Sequence, residues 1–488
     1  SRRREGRRRT RPAPGRRSAR RPCAERASSP GVRPHPIREQ KMTDLAWLSV
    51  AEGSQLLKSR KLSPVEWTRA LLDRIAAVDP AYNAFLAVTA DLAMAQAKQA
   101  EAEIAAGRYR GPMHGVPYAA KDIFDIEGMA TTCHSKLRMN HRAASDAFVV
   151  RKLREAGAVL LGKLALHEFA TGGPAFDLPW PPARNPWNRN LHPGGSSSGS
   201  GAALAAGLAP AALGTDTGGS VRNPATCCGI VGLKPTYGAI SLSGVQPLTH
   251  SLDHVGPMTR GVEDNAIFLQ AMAGHDPADV TMTTRPLDDC LKEMKAGLKG
   301  LKIGVIEHFY TKDAPADPDQ VRGIEGAIEV LKKLGAEVRT VTVSPLSLWT
   351  DCNRTIHASE AYAIHERDLQ ERPEDFAMLT RNRMFPGAFV SAAKYIKAQQ
   401  LRAALCREMA EATRDLDAVV TLSSLLLPCP IDDTPLVLKT YDQQCRLVFN
   451  VTGAPAISVP TGLSGSGMPL AMQIAGHAFD EPMVYRVA

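Results

Sequence analysis

Segments with a helical spacing of apolar residues alternate along this chain with short apolar runs that are typical of buried strands. Residues 146–156 have a helical pattern and are followed by an apolar run at 158–161. The same order recurs at 320–334 and 336–343, and in both units a glycine separates helix from strand. A helix that ends at glycine and leads into a β-branched strand is typical of α/β layers.

Further segments extend this pattern to both ends of the chain. Residues 45 to about 107 have a helical pattern. Ser63 and Pro64 are typical of the start of one helix, and residues 92–106 are predicted to form a second helix. Strands are also predicted within 111–128 and at 301–307, 418–421 and 456–459, and helices at 264–273, 360–379, 391–416 and around 441–449. The simplest arrangement is one α/β domain with helices on both sides of a large sheet.

The first 41 residues differ from the rest in composition. They hold 14 Arg, one Lys and six Pro with almost no bulky apolar residue, so we predict a disordered tail that is not part of the native fold. Three interpretations of this tail are open: a transit peptide, a nucleic-acid-binding arm, or sequence translated upstream of a true start at Met42. We favour the third interpretation, because Met42 leads directly into sequence that looks folded and because the prolines oppose an amphipathic transit peptide.

We assign residues 42–488 to one domain. Within it, residues 42–107 supply N-terminal helices, 108–275 the central part, and 300–488 the remainder of the same sheet. The tail accounts for the net charge of +9, since the rest of the chain is slightly acidic. The overall charge therefore gives no reason to expect nucleic acid at the functional site.

Cysteine usage and hydropathy restrict the cellular context. Nine cysteines are scattered along the chain without a Cys-x-x-Cys pair, which argues against a disulfide framework or structural zinc and favours a reducing compartment. No apolar run reaches the ~18–20 residues of a membrane span. We therefore expect a cytoplasmic protein that is not inserted in a membrane.

One stretch, residues 193–238, is richer in small residues than any other of its length. It reads PGGSSSGSGAALAAGLAPAALGTDTGGSVRNPATCCGIVGLKPTYG. A backbone with so few large side chains allows the main chain to approach another group closely. Ser196 and Ser220 lie in two glycine-rich turns of this stretch, and an Ala/Leu run that can only be scaffold separates them.

The two turns, the segment Asp-Thr-Gly-Gly-Ser-Val-Arg at 216–222 and the segment Cys-Gly-Ile-Val-Gly-Leu-Lys-Pro-Thr at 228–236 resemble the signature of the amidase signature family. Lys121, in the sequence Gly-Val-Pro-Tyr-Ala-Ala-Lys-Asp at 115–122, resembles the lysine motif of that family. The resemblance covers roughly residues 45–474. It implies a serine hydrolase that cleaves carboxamides with a Ser-Ser-Lys triad, on a central twisted mixed β-sheet covered by helices on both sides.

The resemblance assigns a role to each residue of the triad. Ser220 is expected to be the nucleophile, Lys121 the base, and Ser196, which follows a cis peptide in the family, the relay between them. A lysine at its usual pKa of ~10.4 is protonated, so Lys121 must be desolvated to act as a base. The other interpretation is a surface lysine paired with Asp122.

The backbone N–H groups of Thr217 to Ser220, including Gly218 and Gly219, are expected to bind the oxyanion. Ala170 is expected to line the substrate pocket by resemblance.

Other interpretations of these residues are open. Ser220 could be an ordinary serine in a tight turn. Arg222 could bind a carboxylate of the substrate or brace the loop, and we favour bracing. Ser197 and Ser198 are alternatives to Ser196, and we rank them as supports of the loop.

Two short motifs carry little weight. Residues 195–199 match Gly-x-Ser-x-Gly, but no strand precedes them, as a nucleophile elbow requires. Residues 391–394 match Ser-x-x-Lys, yet the accompanying Ser-Asp-Asn and Lys-Thr-Gly motifs are absent from the sequence.

The sequence therefore predicts an amidohydrolase that converts a small-molecule carboxamide to an acid and ammonia or an amine through an acyl-enzyme. We expect no cofactor, no metal and no nucleic-acid partner, and a homodimer is possible. One alternative is the amidase subunit of a glutamine-dependent tRNA amidotransferase. A second is a nucleic-acid-binding protein that uses the basic tail.

Overall fold

An eleven-stranded mixed sheet organises the residues that the computed structural model describes, 44–488. The predicted tail at 1–41 and the proposed start at Met42 lie outside the described residues. The strands are β1 (Phe85–Val88), β2 (Pro117–Lys121), β3 (Val159–Leu164), β4 (Ala211–Thr215), β5 (Val231–Lys234), β6 (Val255–Thr259), β7 (Lys302–Val305), β8 (Glu337–Thr340), β9 (Ala418–Leu422), β10 (Ala456–Leu463) and β11 (Pro469–Ala475).

The strand order is β1-β3-β2-β4-β6-β5-β10-β11-β9-β7-β8. Parallel pairs occur in β3-β2-β4 and β9-β7-β8. The strands between these two groups, and β1 at the edge, pair antiparallel. The prediction of one large α/β domain on a central mixed sheet is confirmed.

The α-helices connect and cover these strands. They are α1 (Val50–Lys58), α2 (Pro64–Val78), α3 (Ala90–Ala105), α4 (Phe148–Glu155), α5 (Ser198–Ala205), α6 (Arg222–Cys228), α7 (Val262–Met272), α8 (Pro318–Lys333), α9 (Leu346–Glu371), α10 (Met378–Met384), α11 (Ala392–Ala412), α12 (Thr434–Asp442), α13 (Val448–Thr452) and α14 (Glu481–Val487). Ser63 caps α2 as predicted, because its side chain accepts hydrogen bonds from the Val65 and Glu66 amides.

Two predicted segments differ from the structure. The N-terminal segment, predicted as helical throughout, contains β1, which pairs with β3 at the sheet edge. The helix predicted around 441–449 is interrupted, since α12 ends at Asp442 and α13 begins at Val448. Gln444, Arg446 and Leu447, which lie in this interruption, line a cavity.

The helix predicted at 360–379 also differs, because α9 begins earlier, at Leu346, and ends at Glu371.

Buried apolar strands form the interior of the fold; every residue of β2 and β3 is buried. Among residues 44–488, the helices are too short or too polar to cross a lipid bilayer.

Candidate active site

Lys121 lies at the end of β2, an internal strand flanked by β3 and β4. Its Nζ lies 2.8 Å from Ser196 Oγ and 2.7 Å from Thr215 Oγ1, and its side chain is fully buried. Burial lowers the pKa of Lys121 to about 7, although Asp253 and Asp216 act to raise it. A substantial fraction of Lys121 is therefore neutral near neutral pH and able to accept a proton.

Asp122 does not pair with Lys121. Its Oδ1 lies 2.8 Å from Nζ of Lys163, which also donates to the Phe124 carbonyl, and both side chains of the pair are buried. The interpretation of Lys121 as a surface lysine paired with Asp122 is therefore wrong. The buried Asp122–Lys163 pair instead fixes the chain that follows Lys121.

Ser196 lies in the turn before α5, and the Gly195–Ser196 peptide bond is cis. The Ser196 carbonyl accepts a hydrogen bond from the His167 amide at 3.0 Å. The imidazole of His167 packs against Gly195, where an added Cβ would lie 2.0 Å from the ring. A larger residue at 195 would therefore displace the His167 ring beside Ser196.

Ser220 lies in the second turn, between β4 and α6, and is partly exposed, whereas Ser196 is buried. Its carbonyl accepts from the Ser197 amide at 3.2 Å, which joins the two turns. The Ser197 hydroxyl lies 3.3 Å from both the amide and the carbonyl of Thr215. Ser197 therefore supports the loop.

The turn at 216–220 is organised by the carboxylate of Asp216. Gly219 has φ of 112°, and its amide donates to Asp216 Oδ1 at 2.8 Å. The Gly219 amide is thus already bound, while those of Thr217, Gly218 and Ser220 have no protein acceptor within 44–488. Within the described residues, these three amides are therefore available to a ligand.

Arg222 braces this turn from behind. It is fully buried, and it donates to Asp216 through Nε at 3.1 Å and through a terminal nitrogen at 2.9 Å. Its other contacts are Asn450, Gln473 and the Arg446 carbonyl. Burial alone would raise the pKa of Asp216, but the charge of Arg222 holds it well below its usual value. The bracing interpretation of Arg222 fits these contacts.

A cavity opens beside the two turns. Ala170, Ser196, Thr217, Gly218, Gly219 and Ser220 line it, while Lys121 lies behind Ser196. Six of the seven residues proposed from the sequence thus line one cavity. The seventh, Lys121, contacts Ser196 of that lining.

The segment that carries Ala170 is held in an unusual backbone conformation. Phe169 and Ala170 both have positive φ, 48° and 62°. Glu168 anchors the segment, because its carboxylate accepts from Ser135 Oγ at 2.6 Å and from the Ala377 amide at 2.8 Å. Burial raises the pKa of Glu168 to about 7.

Sequence reasoning missed the other residues that line the cavity. They include His167, Asn353, Arg354, His357, Arg383, Tyr441, Gln444 and Arg446. Most of them come from α9, α10 and the break between α12 and α13, far from the glycine-rich turns in sequence. No local sequence motif identifies them.

Within 44–488, no group of three or more His, Cys, Asp or Glu side chains is placed to hold a metal ion.

Comparison with known proteins identifies the family of this chain. The model of the amidase family matches residues 66–485. The chain belongs to the amidase family. This amidase is 40% identical over 470 residues to the A subunit of glutamyl-tRNA(Gln) amidotransferase of Geobacter metallireducens, across 90% of this chain and 96% of the relative.

Two solved structures resemble this amidase closely. The native peptide amidase of Stenotrophomonas maltophilia has a TM-score of 0.80 and 31% identity, covering 91% of this chain and 96% of its own. A chain from a vestigial protein complex linked to the origins of an s-triazine catabolic enzyme has a TM-score of 0.84 and 32% identity, covering 90% and 97%. The fold and the general activity, hydrolysis of C–N bonds, follow from these relationships.

Proposed function

We propose that this amidase cleaves its carboxamide through a Ser220–Ser196–Lys121 proton relay. The observation that supports this most is the contact of a fully buried Lys121 with Ser196, without any ion pair from the described residues to hold the lysine protonated. A lysine with a pKa of about 7 matches the requirement for a general base at neutral pH.

In the first half-reaction, Ser220 Oγ attacks the amide carbonyl and passes its proton to Ser196, which passes its own to Lys121. The amides of Thr217, Gly218 and Ser220 bind the oxyanion that forms. The relay then returns the proton to the leaving nitrogen, so that the C–N bond breaks and ammonia or an amine departs. Water attacks the resulting ester, and the acid is released.

Two biological settings use this chemistry. In one, the chain acts alone on a small-molecule carboxamide, as first expected from the sequence. In the other, it is the amidase component of an amidotransferase, takes ammonia from glutamine and delivers it to a partner protein. The similarity to the glutamyl-tRNA(Gln) amidotransferase component over 96% of the relative favours the second setting.

The relay is tested by measuring ammonia release from an amide panel that includes glutamine. We expect Ser220→Ala and Lys121→Met each to lower kcat by about 10³-fold or more, and Ser220→Ala to abolish labelling by a fluorophosphonate probe. Ser197→Ala is the matched control, because Ser197 supports the loop without contacting Lys121. A fully active Ser220→Ala protein would disprove the mechanism.

The pH profile gives a second readout. Because only neutral Lys121 accepts a proton, kcat/KM should fall below a pH of about 7 and reach a plateau above it.

Isolation of the chain with a second protein component, together with glutamine-dependent amidation, would support the amidotransferase setting. Turnover of simple amides by the isolated chain, at a rate that no partner increases, would support the other.

A further inference from the structure

Arg446 places an unpaired guanidinium beside the nucleophile turn. It lies in the break between α12 and α13 and is 1% exposed. One terminal nitrogen donates to the Ser423 carbonyl at 3.0 Å and to Ser424 Oγ. The Nε is buried and has no hydrogen-bond partner within 44–488. A Cβ on Gly219 would lie 2.5 Å from that Nε, so the guanidinium packs directly on the turn.

No carboxylate of the described chain forms an ion pair with Arg446. The nearby Asp216 is already bound by Arg222, by Asn450 and by the Gly219 amide. Burial lowers the pKa of Arg446 only to about 10, so the group is charged at neutral pH. An unpaired buried charge is costly in a folded protein, which suggests that the bound ligand supplies the anion.

Asn353 provides a second donor among the residues that line the same cavity. It is 5% exposed, and its Nδ2 has no partner within the described residues. The Asn353 side chain lies beside Gly218 through its Oδ1, 3.7 Å from the Cβ position of that glycine, as Arg446 lies beside Gly219. Two N–H donors that line one cavity match the two oxygens of a carboxylate.

The remaining charges of the cavity favour the same ligand. Arg354 and Arg383 also line it, and no Asp or Glu of the described part of the chain does. Asp442, which pairs with Arg354 and lies 3.9 Å from Arg383, is half-exposed and outside the lining. The described residues that line the cavity therefore carry more positive than negative charge.

We propose that this amidase selects carboxamides that carry a carboxylate, and that Arg446 with Asn353 binds this group. The proposal rests on the proposed function, because it assigns the substrate class of the same cavity. Arg446 is then a specificity-determining residue, and the uncharged part of the substrate spans from its guanidinium to Ser220. Glutamine belongs to this class, but so do monoamides of dicarboxylic acids that lack an ammonium group.

The first test compares two amides on the unmodified protein. One is 4-carbamoylbutanoate, and the other is pentanamide, in which a methyl group replaces the carboxylate. We expect kcat/KM for the anionic amide to be about 100-fold higher, because the neutral analogue leaves buried donors unpaired. Glutamine is the third substrate. Equal kcat/KM values for the two matched amides would overturn the proposal.

The second test assigns the preference to Arg446. In the Arg446→Met variant, the ratio of kcat/KM for 4-carbamoylbutanoate to that for pentanamide should fall at least about 30-fold. Arg446→Lys, which keeps the charge on a buried stem, should retain part of that ratio. Arg322→Met removes an exposed arginine and is the control. An equal loss of kcat/KM for both amides would indicate that Arg446 stabilises the oxyanion instead of binding the carboxylate, and it would overturn the proposal.

A binding measurement separates this proposal from the proposed function. Calorimetry on the Ser220→Ala protein should show 4-carbamoylbutanoate binding about 30-fold more tightly than pentanamide, with the preference lost when Arg446→Met is added. If the preference appears here although the unmodified protein hydrolyses neither amide, the carboxylate site stands and the hydrolytic function fails. If hydrolysis occurs without any preference in binding, the function stands and the carboxylate site fails.

Discussion

At the scale of single residues, Lys121 combines the role proposed for it with a cost to the stability of the fold. Its side chain is fully buried, and its Nζ contacts two hydroxyl groups and forms no ion pair with a carboxylate of residues 44–488. Burial of an ammonium group without a counter-ion costs free energy, and the lowered pKa expresses that cost. A base at this position therefore opposes stability.

We predict that Lys121→Met stabilises the protein while it removes activity. Methionine keeps the apolar length of the side chain and needs no solvation, so the free energy of unfolding should rise by about 1–2 kcal/mol at pH 7. Chemical denaturation of the two proteins under the same conditions measures the difference. A less stable variant would contradict this interpretation of the lowered pKa.

The same residue predicts a pH dependence of stability. The pKa of Lys121 is about 7 in the folded chain and ~10.4 when unfolded, so the unfolded chain binds more protons between these values. Stability of the unmodified protein should therefore rise, relative to Lys121→Met, as pH increases from about 7 toward 10. A difference independent of pH would show that Lys121 titrates alike in both states.

At the scale of elements, the turn at 216–220 depends on backbone shape. Gly219 has a positive φ, and the space of its missing Cβ is filled by Arg446. Gly218 has a φ outside the left-handed region and only Asn353 near its Cβ position, at 3.7 Å. Adjacent glycines of one motif are therefore under different constraints.

We predict that Gly219→Ala lowers kcat/KM by about 100-fold or more, whereas Gly218→Ala causes a distinctly smaller loss. Alanine at 219 must adopt an unfavourable φ and displace the Arg446 guanidinium, which shifts the turn that holds Ser220. Steady-state kinetics on both variants, with circular dichroism to verify folding, makes the comparison. Equal losses would mean that side-chain volume in the cavity, and not backbone shape, decides the effect.

The sequence predicted the glycine-rich elements well because their requirements are local. Ser196, Ser220 and the glycines between them lie within one short stretch, and Lys121 ends an apolar strand that its neighbours identify. The break between α12 and α13 could not be predicted, since the apolar residues around 441–449 continue in a helical pattern. Arg446 became recognisable only when the fold placed its guanidinium against Gly219.

At the scale of the whole molecule, the Asp216–Arg222 pair joins segments that are far apart in sequence. Arg222 also donates to Gln473 on β11, to Asn450 on α13 and to the Arg446 carbonyl. The turn at 216–220 is thus supported by residues from the C-terminal part of the chain. Because the site needs both parts, its geometry and the stability of the fold are linked.

This link predicts a non-additive effect on stability. Arg222→Met leaves Asp216 buried without its cation, and Asp216→Asn leaves Arg222 without its anion, so each should lower the free energy of unfolding by about 3–5 kcal/mol. The double variant removes both charges and should lose much less than the sum of the two single losses. Urea denaturation of the four proteins measures the cycle, with Arg322→Met at an exposed ion pair as the control for loss of one arginine. Additive losses would mean that Asp216 and Arg222 stabilise the fold through their other partners and not through each other.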